Sequence, residues 1–261
     1  MKYGFIGCGN MGGAIARALA KATRDFTVTD RSGKAAALAK ELGVSYGNND
    51  SVANNCDRLF LGVKPQMMEA VLAPLRFALV ARKPLLITMA AGLTMARIEE
   101  FAGTTLPVIR IMPNTPVTVG QGMIPYCCND LVTEEMLADF VSDMRFAGCM
   151  DAIPEQMMDA ASALSGCGPA YMYMFVEALA DAAVSCGVPR EKALTYAAQT
   201  MAGAAEMVLK TGIHPGQLKD AVCSPGGSTI EGVKSLEQNG FRGIVMDCIA
   251  AAFKRTKELG K

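Results

Sequence analysis

Apolar residues fall in two regimes along this chain. Up to residue 153, short apolar runs alternate with amphipathic stretches of helical period. The runs end at Ile6 and cover Phe26–Thr29, Arg58–Val63, Leu85–Met89 and Val108–Ile111. Leu59-Phe60-Leu61-Gly62-Val63 and Leu85-Leu86-Ile87-Thr88-Met89 are continuous rather than alternating, the pattern of strands buried on both faces. Between the runs the spacing predicts helices over Met11–Ala22, Gly33–Leu42, Gln66–Phe77 and Thr94–Phe101. Strand and helix in alternation predict a parallel, doubly wound α/β sheet. A strand over Gly122–Tyr126 and a helix over Thr133–Phe146 complete it.

From residue 154 the strand pattern stops. Helical periods run over Gln156–Leu164, Pro169–Ser185, Arg190–Lys210, Gln217–Cys223, Thr229–Gln238 and Arg242–Leu259. Breaks are expected at Gly166-Cys167-Gly168, Gly187-Val188-Pro189 and Gly212–Pro215, where glycine and then proline stop one helix and start the next. The chain therefore reads as two domains, residues 1–153 of α/β type and residues 154–261 all helical. Several of the later helices are apolar over wide faces, as in Ala178-Leu179-Ala180-Asp181-Ala182-Ala183-Val184. Such faces are expected to bury part of their area against a partner subunit.

Composition narrows the function classes. Half of the 261 residues are hydrophobic (51%), and 25 basic residues balance 25 acidic ones. A net charge of zero offers neither a nucleic-acid surface nor a polybasic membrane anchor. The longest uncharged stretch, Ile111–Asn129, is broken by Pro113, Pro116 and Pro125 and is not a membrane span. No secretory leader is visible. Nine cysteines, an odd number without C-x-x-C spacing, suggest reduced thiols and a cytoplasmic location. With His214 as the single histidine, no metal centre is expected.

Two stretches carry candidate chemistry. The first apolar strand runs directly into G-x-G-x-x-G (Gly7, Gly9, Gly12) and a helix. Gly7 permits the tight turn, Gly9 lets backbone approach a pyrophosphate, and Gly12 lets the helix pack on the strand. The second strand ends at Asp30, about 18 residues on, in the place of a ribose-binding acid. Asp30 favours NAD, whereas Arg31 beside it favours the 2′-phosphate of NADP, and the residues alone leave that choice open. Other strand ends lead into Val63-Lys64-Pro65, Ala90-Ala91-Gly92 and Met112-Pro113-Asn114-Thr115-Pro116. Ala90 and Ala91 are small enough for a flat nicotinamide to lie against backbone, and Lys64 would face cofactor or substrate. The second stretch is His214–Thr229. Its Pro225-Gly226-Gly227 turn feeds a Ser/Thr-led helix, whose free N–H groups suit a small anion such as a carboxylate.

Six motifs, in order along essentially the whole chain, resemble the pyrroline-5-carboxylate reductase family. They are G-F-I-G-C-G-N-M-G (Gly4–Gly12), V-K-P (Val63–Pro65), A-A-G (Ala90–Gly92), M-P-N-T-P (Met112–Pro116), S-G-C-G-P-A-Y (Ser165–Tyr171) and H-P-G-Q-L-K-D-A-V-C-S-P-G-G-S-T (His214–Thr229). The resemblance implies an N-terminal Rossmann domain and a C-terminal helical dimerisation domain. It implies hydride transfer from NAD(P)H, NADPH or else NADH, to the C=N carbon of 1-pyrroline-5-carboxylate, giving L-proline in the last step of its biosynthesis. It further implies homodimers that interlock through the helical domains, often gathered into decamers, with active sites drawing on both subunits. Ile6, Gly7, Cys8, Gly9, Asn10, Met11, Arg31, Asn49, Lys64 and Ala91 fall at cofactor positions; Glu155, Ser228 and Thr229 fall at substrate positions. Ala221 and Cys167 stand where some members have asparagine and serine.

A cyclic imine is already electrophilic, so neither a nucleophile nor a metal is required. The protein must hold the cofactor near the C=N carbon and fix the substrate carboxylate. The backbone around Gly227–Thr229 is expected to bind that carboxylate, and the Thr229 hydroxyl to serve the ring nitrogen as the catalytic group. His214, before Pro215, is expected to cap or pack locally. A β-hydroxyacid dehydrogenase of the same plan would carry a lysine on the helix after the glycine turn, and Gly168–Phe175 has none. A non-catalytic NAD(P)-sensing protein would need the first glycine turn but not the Pro225–Thr229 turn.

Overall fold

The computed structural model describes residues 1–259. The chain forms two compact units, Met1–Cys167 together with the stretch from Ala252 onward, and Gly168–Ala251. In chain order the first unit begins β1 (Tyr3–Ile6), α1 (Asn10–Leu19), β2 (Phe26–Thr29), α2 (Lys34–Leu42), β3 (Ser45–Tyr46) and α3 (Asn49–Asn55). It continues through β4 (Arg58–Leu61), α4 (Met68–Leu72), α5 (Arg76–Arg82), β5 (Leu85–Thr88), α6 (Met95–Ala102) and β6 (Val108–Ile111). Then come β7 (Gly122–Cys128), α7 (Glu134–Asp143), β8 (Gly148–Ala152) and α8 (Met158–Ala161).

The strands form one sheet in the order β3-β2-β1-β4-β5-β6-β7-β8. Neighbours are parallel except β6 and β7, which pair antiparallel. Strand order reverses at β1, which lies between β2 and β4, so the crevice beyond its C-terminal end is the place for a ligand. Side chains alternate across the sheet. Tyr3 and Phe5 join Phe26, Phe60, Phe140 and α1 on one face, whereas Ile6 joins Leu61, Val52, Leu79 and Ile98 on the other. Phe5 stacks on Phe60 with ring centroids 4.5 Å apart.

Two buried arginines sit within this sheet. Arg58, first in β4, donates to the Tyr3 hydroxyl (2.7 Å) and to Asp139 Oδ2 of α7 (2.8 Å), and Tyr3 donates to Asp143 Oδ2 (2.7 Å). Burial and the Asp143 hydrogen bond hold the Tyr3 phenol far above its ordinary range, so it stays a neutral donor. Arg110, in β6, pairs with Glu155 (3.2 Å) and Asp159 (3.1 Å), tying the segment that follows β8 to the sheet.

The elements depart from the periodic pattern at identifiable places. The helix expected over Gln66–Phe77 is two helices, α4 and α5, interrupted at Ala73–Leu75, where Pro74 supplies no N–H to the ladder. The strand expected to reach Val63 stops at Leu61, because Gly62 turns beneath the first loop. Ser45–Tyr46, Asn49–Asn55 and Gly148–Ala152 are elements that hydrophobic periodicity did not indicate. The glycines at Gly166-Cys167-Gly168 make no open loop. The chain passes from α8 through a π-turn, Ser162–Gly166, directly into α9 (Gly168–Ser185). Such π-turns recur at functional sites.

In the second unit α9 is followed by α10 (Arg190–Thr211), α11 (Pro215–Val222), α12 (Ser228–Gln238) and α13 (Phe241–Leu259), whose last turns belong to the first unit. α9 and α10 pack on each other around Ala180, Ala193 and Ala197. Large apolar side chains elsewhere in this unit stay exposed, among them Met174, Leu209, Ile244 and Met246.

Replacing Arg110 by Ala leaves Glu155 and Asp159 partly buried without their cation. The expected cost is about 3 kcal/mol in a urea melt, at the lower end of the range for breaking a buried pair. A loss below about 1 kcal/mol would mean that Arg110 does not anchor this segment.

Candidate active site

The glycine turn after β1 owes its shape to one left-handed glycine and two close backbone approaches. Gly7 adopts φ 100°, a left-handed conformation that side chains avoid. A Cβ on Gly12 would stand 2.2 Å from the Gly7 carbonyl oxygen, and one on Gly62 would stand 2.3 Å from the same atom. Gly9 differs: at φ −65° it is unstrained, and a Cβ there would meet nothing within 4 Å. Gly9 is also the N-cap of α1, with no side-chain cap and no acidic residue in the first turn. Open space beside an uncapped helix N-terminus fits a pyrophosphate. Gly7 and Gly12 fill the turn and packing roles expected of them from the sequence, and Gly62 adds a close approach that the motif does not advertise.

The other cofactor candidates lie along the same edge of the sheet. Arg31 follows β2, Asn49 opens α3 after β3, Val63-Lys64-Pro65 follows β4, and Ala90-Ala91 follows β5. Arg31 and Lys64 are exposed, Ala90 is buried, and Ala91 is half-buried. Asn48 and Ser51 form a reciprocal capping box at the start of α3, which fixes the backbone at Asn49. Asn114, after β6, donates to the Ser165 carbonyl (3.0 Å) and accepts from the Met123 N–H (2.9 Å), joining the M-P-N-T-P loop to the π-turn.

Burial pushes the Cys8 thiol, inside the glycine turn, up to about 12, with the Asp30 charge adding to the rise. The turn therefore brings no thiolate toward a bound phosphate. Burial likewise raises Cys127 to about 11.

Glu155 is engaged in structure. Its Oε1 accepts from the Met95 N–H at the start of α6 (2.7 Å) and from Arg110 (3.2 Å). No periodicity signals these partners, since they are 60 and 45 residues away.

In the second unit the Ser224–Gly227 segment is a turn, closed by the Gly227 N–H on the Ser224 carbonyl (3.0 Å). α12 then begins at Ser228, the Ser/Thr-led start expected, and its N-cap is Gly227, which offers no side-chain cap. Gly227 serves because a Cβ there would fall 2.3 Å from Ser224 Oγ. Its N–H is already committed, which narrows the available anion donors to the residues that follow, Ser228 and Thr229, both exposed. His214 is the N-cap of α11; its Nδ1 accepts from the Gly216 N–H at 3.1 Å. The local role expected for it is what the structure contains.

A doubly wound sheet with this glycine turn at its switch point defines a dinucleotide-dependent oxidoreductase, here joined to a helical unit. Residues 2–92 match the model of a family described as NADP oxidoreductase, coenzyme F420-dependent, and residues 155–259 match that for pyrroline-5-carboxylate reductase dimerisation. The pyrroline-5-carboxylate reductase of Escherichia coli (strain K12) is 41% identical over 266 residues, covering 100% of this chain and 98% of that one. The solved reductase of Coxiella burnetii superposes with a TM-score of 0.91 at 34% identity, over 100% of this chain and 98% of the other. The Plasmodium falciparum pyrroline carboxylate reductase, solved with NADP bound, gives 0.88 at 35% identity over the same shares. The chain belongs to the pyrroline-5-carboxylate reductase family, a family of NAD(P)H-dependent oxidoreductases.

Two measurements check this geometry. Gly12→Ala is expected to lose about 2 kcal/mol or more of stability, as overpacking against rigid backbone does. Gly9→Ala should melt like the parent yet bind NADPH at least about tenfold more weakly, because its methyl occupies the open space. Equal effects of the two in both assays would sink the assignment. Cys8 supplies a pH test. The unfolded thiol titrates near 9.0 and the folded one near 12, so between these the unfolded chain has released a proton that the folded chain retains. Stability therefore falls as pH rises through that window. Urea midpoints at about pH 7 and about pH 10 should diverge less in Cys8→Ala than in the parent.

Proposed function

We propose that this protein reduces 1-pyrroline-5-carboxylate at its C=N carbon to L-proline, the final step of proline biosynthesis, with NADPH as the preferred donor. The observation that carries this is the turn at Ser224–Gly227, which presents an 11-residue helix without a side-chain cap. That is the arrangement a small carboxylate needs. Bound NADPH supplies the hydride, and Ile6–Gly12, Arg31, Asn49, Val63–Pro65, Ala90 and Ala91 are the residues that would hold it.

The remaining work falls to this chain's own groups. The Ser228 and Thr229 N–H groups hold the substrate carboxylate against the positive end of α12, and Gly227 keeps the helix entrance clear of a Cβ. The Thr229 hydroxyl donates to the ring nitrogen and orients the imine; as hydride reaches the C=N carbon, the nitrogen takes its proton through this hydroxyl, which regains one from solvent. Glu155 belongs to the substrate set as a positioning residue, holding the start of α6 and the segment before the π-turn through Met95 and Arg110. The dimerisation and substrate domain is taken to begin at residue 154, with residues 1–153 as the nucleotide-binding domain.

The chain oligomerises through its dimerisation domain, and a homodimer, gathered further into a decamer, is the assembly proposed. Exposed Met174, Leu209, Ile244 and Met246 support burial against another copy. A cytoplasmic location is proposed from nine free cysteines, which suit a reducing compartment. Among the described residues, no helix is long and apolar enough to cross a membrane.

Purified protein mixed with pyrroline-5-carboxylate and NADPH should oxidise the nucleotide rapidly, read at about 340 nm, and Thr229→Ala should lower kcat/KM by about tenfold or more. A change within about twofold would remove Thr229 from the chemistry. His214→Asn should keep activity within about twofold, since asparagine caps helices equally well.

A further inference from the structure

A single buried hydroxyl shapes the turn by which the chain leaves β5. Thr88 is the last residue of that strand and is fully buried. It follows Leu86 by two residues and so shares its face of the sheet. Its Oγ1 accepts the Ala90 N–H at 3.3 Å, a side-chain turn that draws backbone away from the ladder. A hydroxyl closes such a turn more weakly than an aspartate or asparagine does. Burial compensates: Ala90 is 1% exposed, so solvent offers its N–H no substitute for Thr88. The remainder of the connection to α6 is held by other means. Gly92 adopts φ 76°, Thr94 Oγ1 accepts from the Arg97 N–H at 3.2 Å, and Glu155 accepts from the Met95 N–H. The Leu93 N–H reaches the Ala90 carbonyl only at 3.5 Å, too far to fix the turn. The placement of Ala90 and Ala91 therefore depends on the Thr88 hydroxyl.

We propose that Thr88 is a positioning residue for hydride transfer: by fixing the Ala90 N–H it sets the backbone surface on which the nicotinamide ring rests. Thr88 acts through the turn, since a fully buried side chain cannot touch the nucleotide. A ring displaced by about 1 Å from its productive place transfers hydride poorly. The inference rests on the proposed nicotinamide seat at Ala90 and Ala91, and it lies wholly within the first unit.

The test compares two probes by calorimetry without imine: NADPH, and 2′-phosphoadenosine diphosphate ribose, which lacks the nicotinamide. Thr88→Val keeps the shape of the side chain and removes the acceptor. It should bind the ring-less probe within about twofold of the parent, which also shows that the first unit is folded. Its binding of NADPH should weaken by about fivefold or more, because the turn is no longer preorganised. Thr88→Ser, which retains the hydroxyl, should bind both probes within about twofold of the parent. Equal weakening of both probes in Thr88→Val overturns the proposal, as does unchanged NADPH binding, and as does a Thr88→Ser that behaves like Thr88→Val. Ala91→Val separates this inference from the seat on which it rests. If it leaves both probes unaffected, the nicotinamide lies elsewhere and both readings fall. If it weakens NADPH alone while Thr88→Val does not, the seat stands and the role of Thr88 is wrong.

Discussion

The Gly7 carbonyl is the point on which the first unit turns. Two other chain segments approach it so closely that neither can carry a side chain: α1 at Gly12 and the end of β4 at Gly62. This is contact of backbone with backbone, and no rotamer change can relieve a Cβ placed between them. The consequence is local and functional together. α1 is drawn onto the C-terminal ends of β1 and β4, its N-terminus stands at the crevice where strand order reverses, and Gly9 is left beside open space. The same contact sets where the chain leaves β4, so Val63-Lys64-Pro65 emerges at that crevice as well.

The two edges of the sheet are treated oppositely. At the N-terminal ends of β1 and β4, Arg58, Tyr3, Asp139 and Asp143 close a network of short hydrogen bonds that fastens α7 to the sheet. Those polar groups are spent on one another. At the C-terminal edge the turns keep small or exposed residues and an uncapped helix, which leaves donors for a ligand. Arg110 performs the fastening role nearer the ligand edge, joining β6 to Glu155 and Asp159. A buried cation of this kind contributes specificity of placement more than net stability, because its desolvation offsets much of the attraction. Its value is that the segment leading to the π-turn has one register only.

This division explains what could be read from the residues alone. Continuous apolar runs mark parallel strands because both faces are covered, and the glycine turn is legible because only glycine meets its conformational and steric demands. Ser45–Tyr46 and Gly148–Ala152 are short strands at the sheet's edges, partly exposed, so neither burial nor length gives them a period. Asn49–Asn55 is polar outside Val52 and Ala53, and its start is set by a capping box rather than by an apolar face. Pro74 was visible, but the interruption it causes lies inside a run that otherwise keeps helical spacing. Gly62 and the partners of Glu155 were silent for a different reason. Their roles come from neighbours brought close by the fold. The commitment of the Gly227 N–H to Ser224 likewise follows from turn geometry, which spacing does not specify.

The second unit inverts the logic of the first. Its buried core consists of three alanines, Ala180, Ala193 and Ala197, whereas its methionines, leucines and isoleucines lie largely outside it. Neither α11 nor α12 contains a buried residue. Three alanine side chains provide little apolar burial, so packing within this unit holds α12 far less firmly than the glycine contacts hold α1. The carboxylate site proposed at α12 needs the opposite, a helix N-terminus with little freedom. Oligomerisation resolves the conflict, because covering the exposed apolar faces supplies the burial that the isolated unit lacks. In such a protein assembly is not an addition to a finished active site. The first unit is held by its own backbone contacts, whereas the burial that the helical unit lacks is what association supplies.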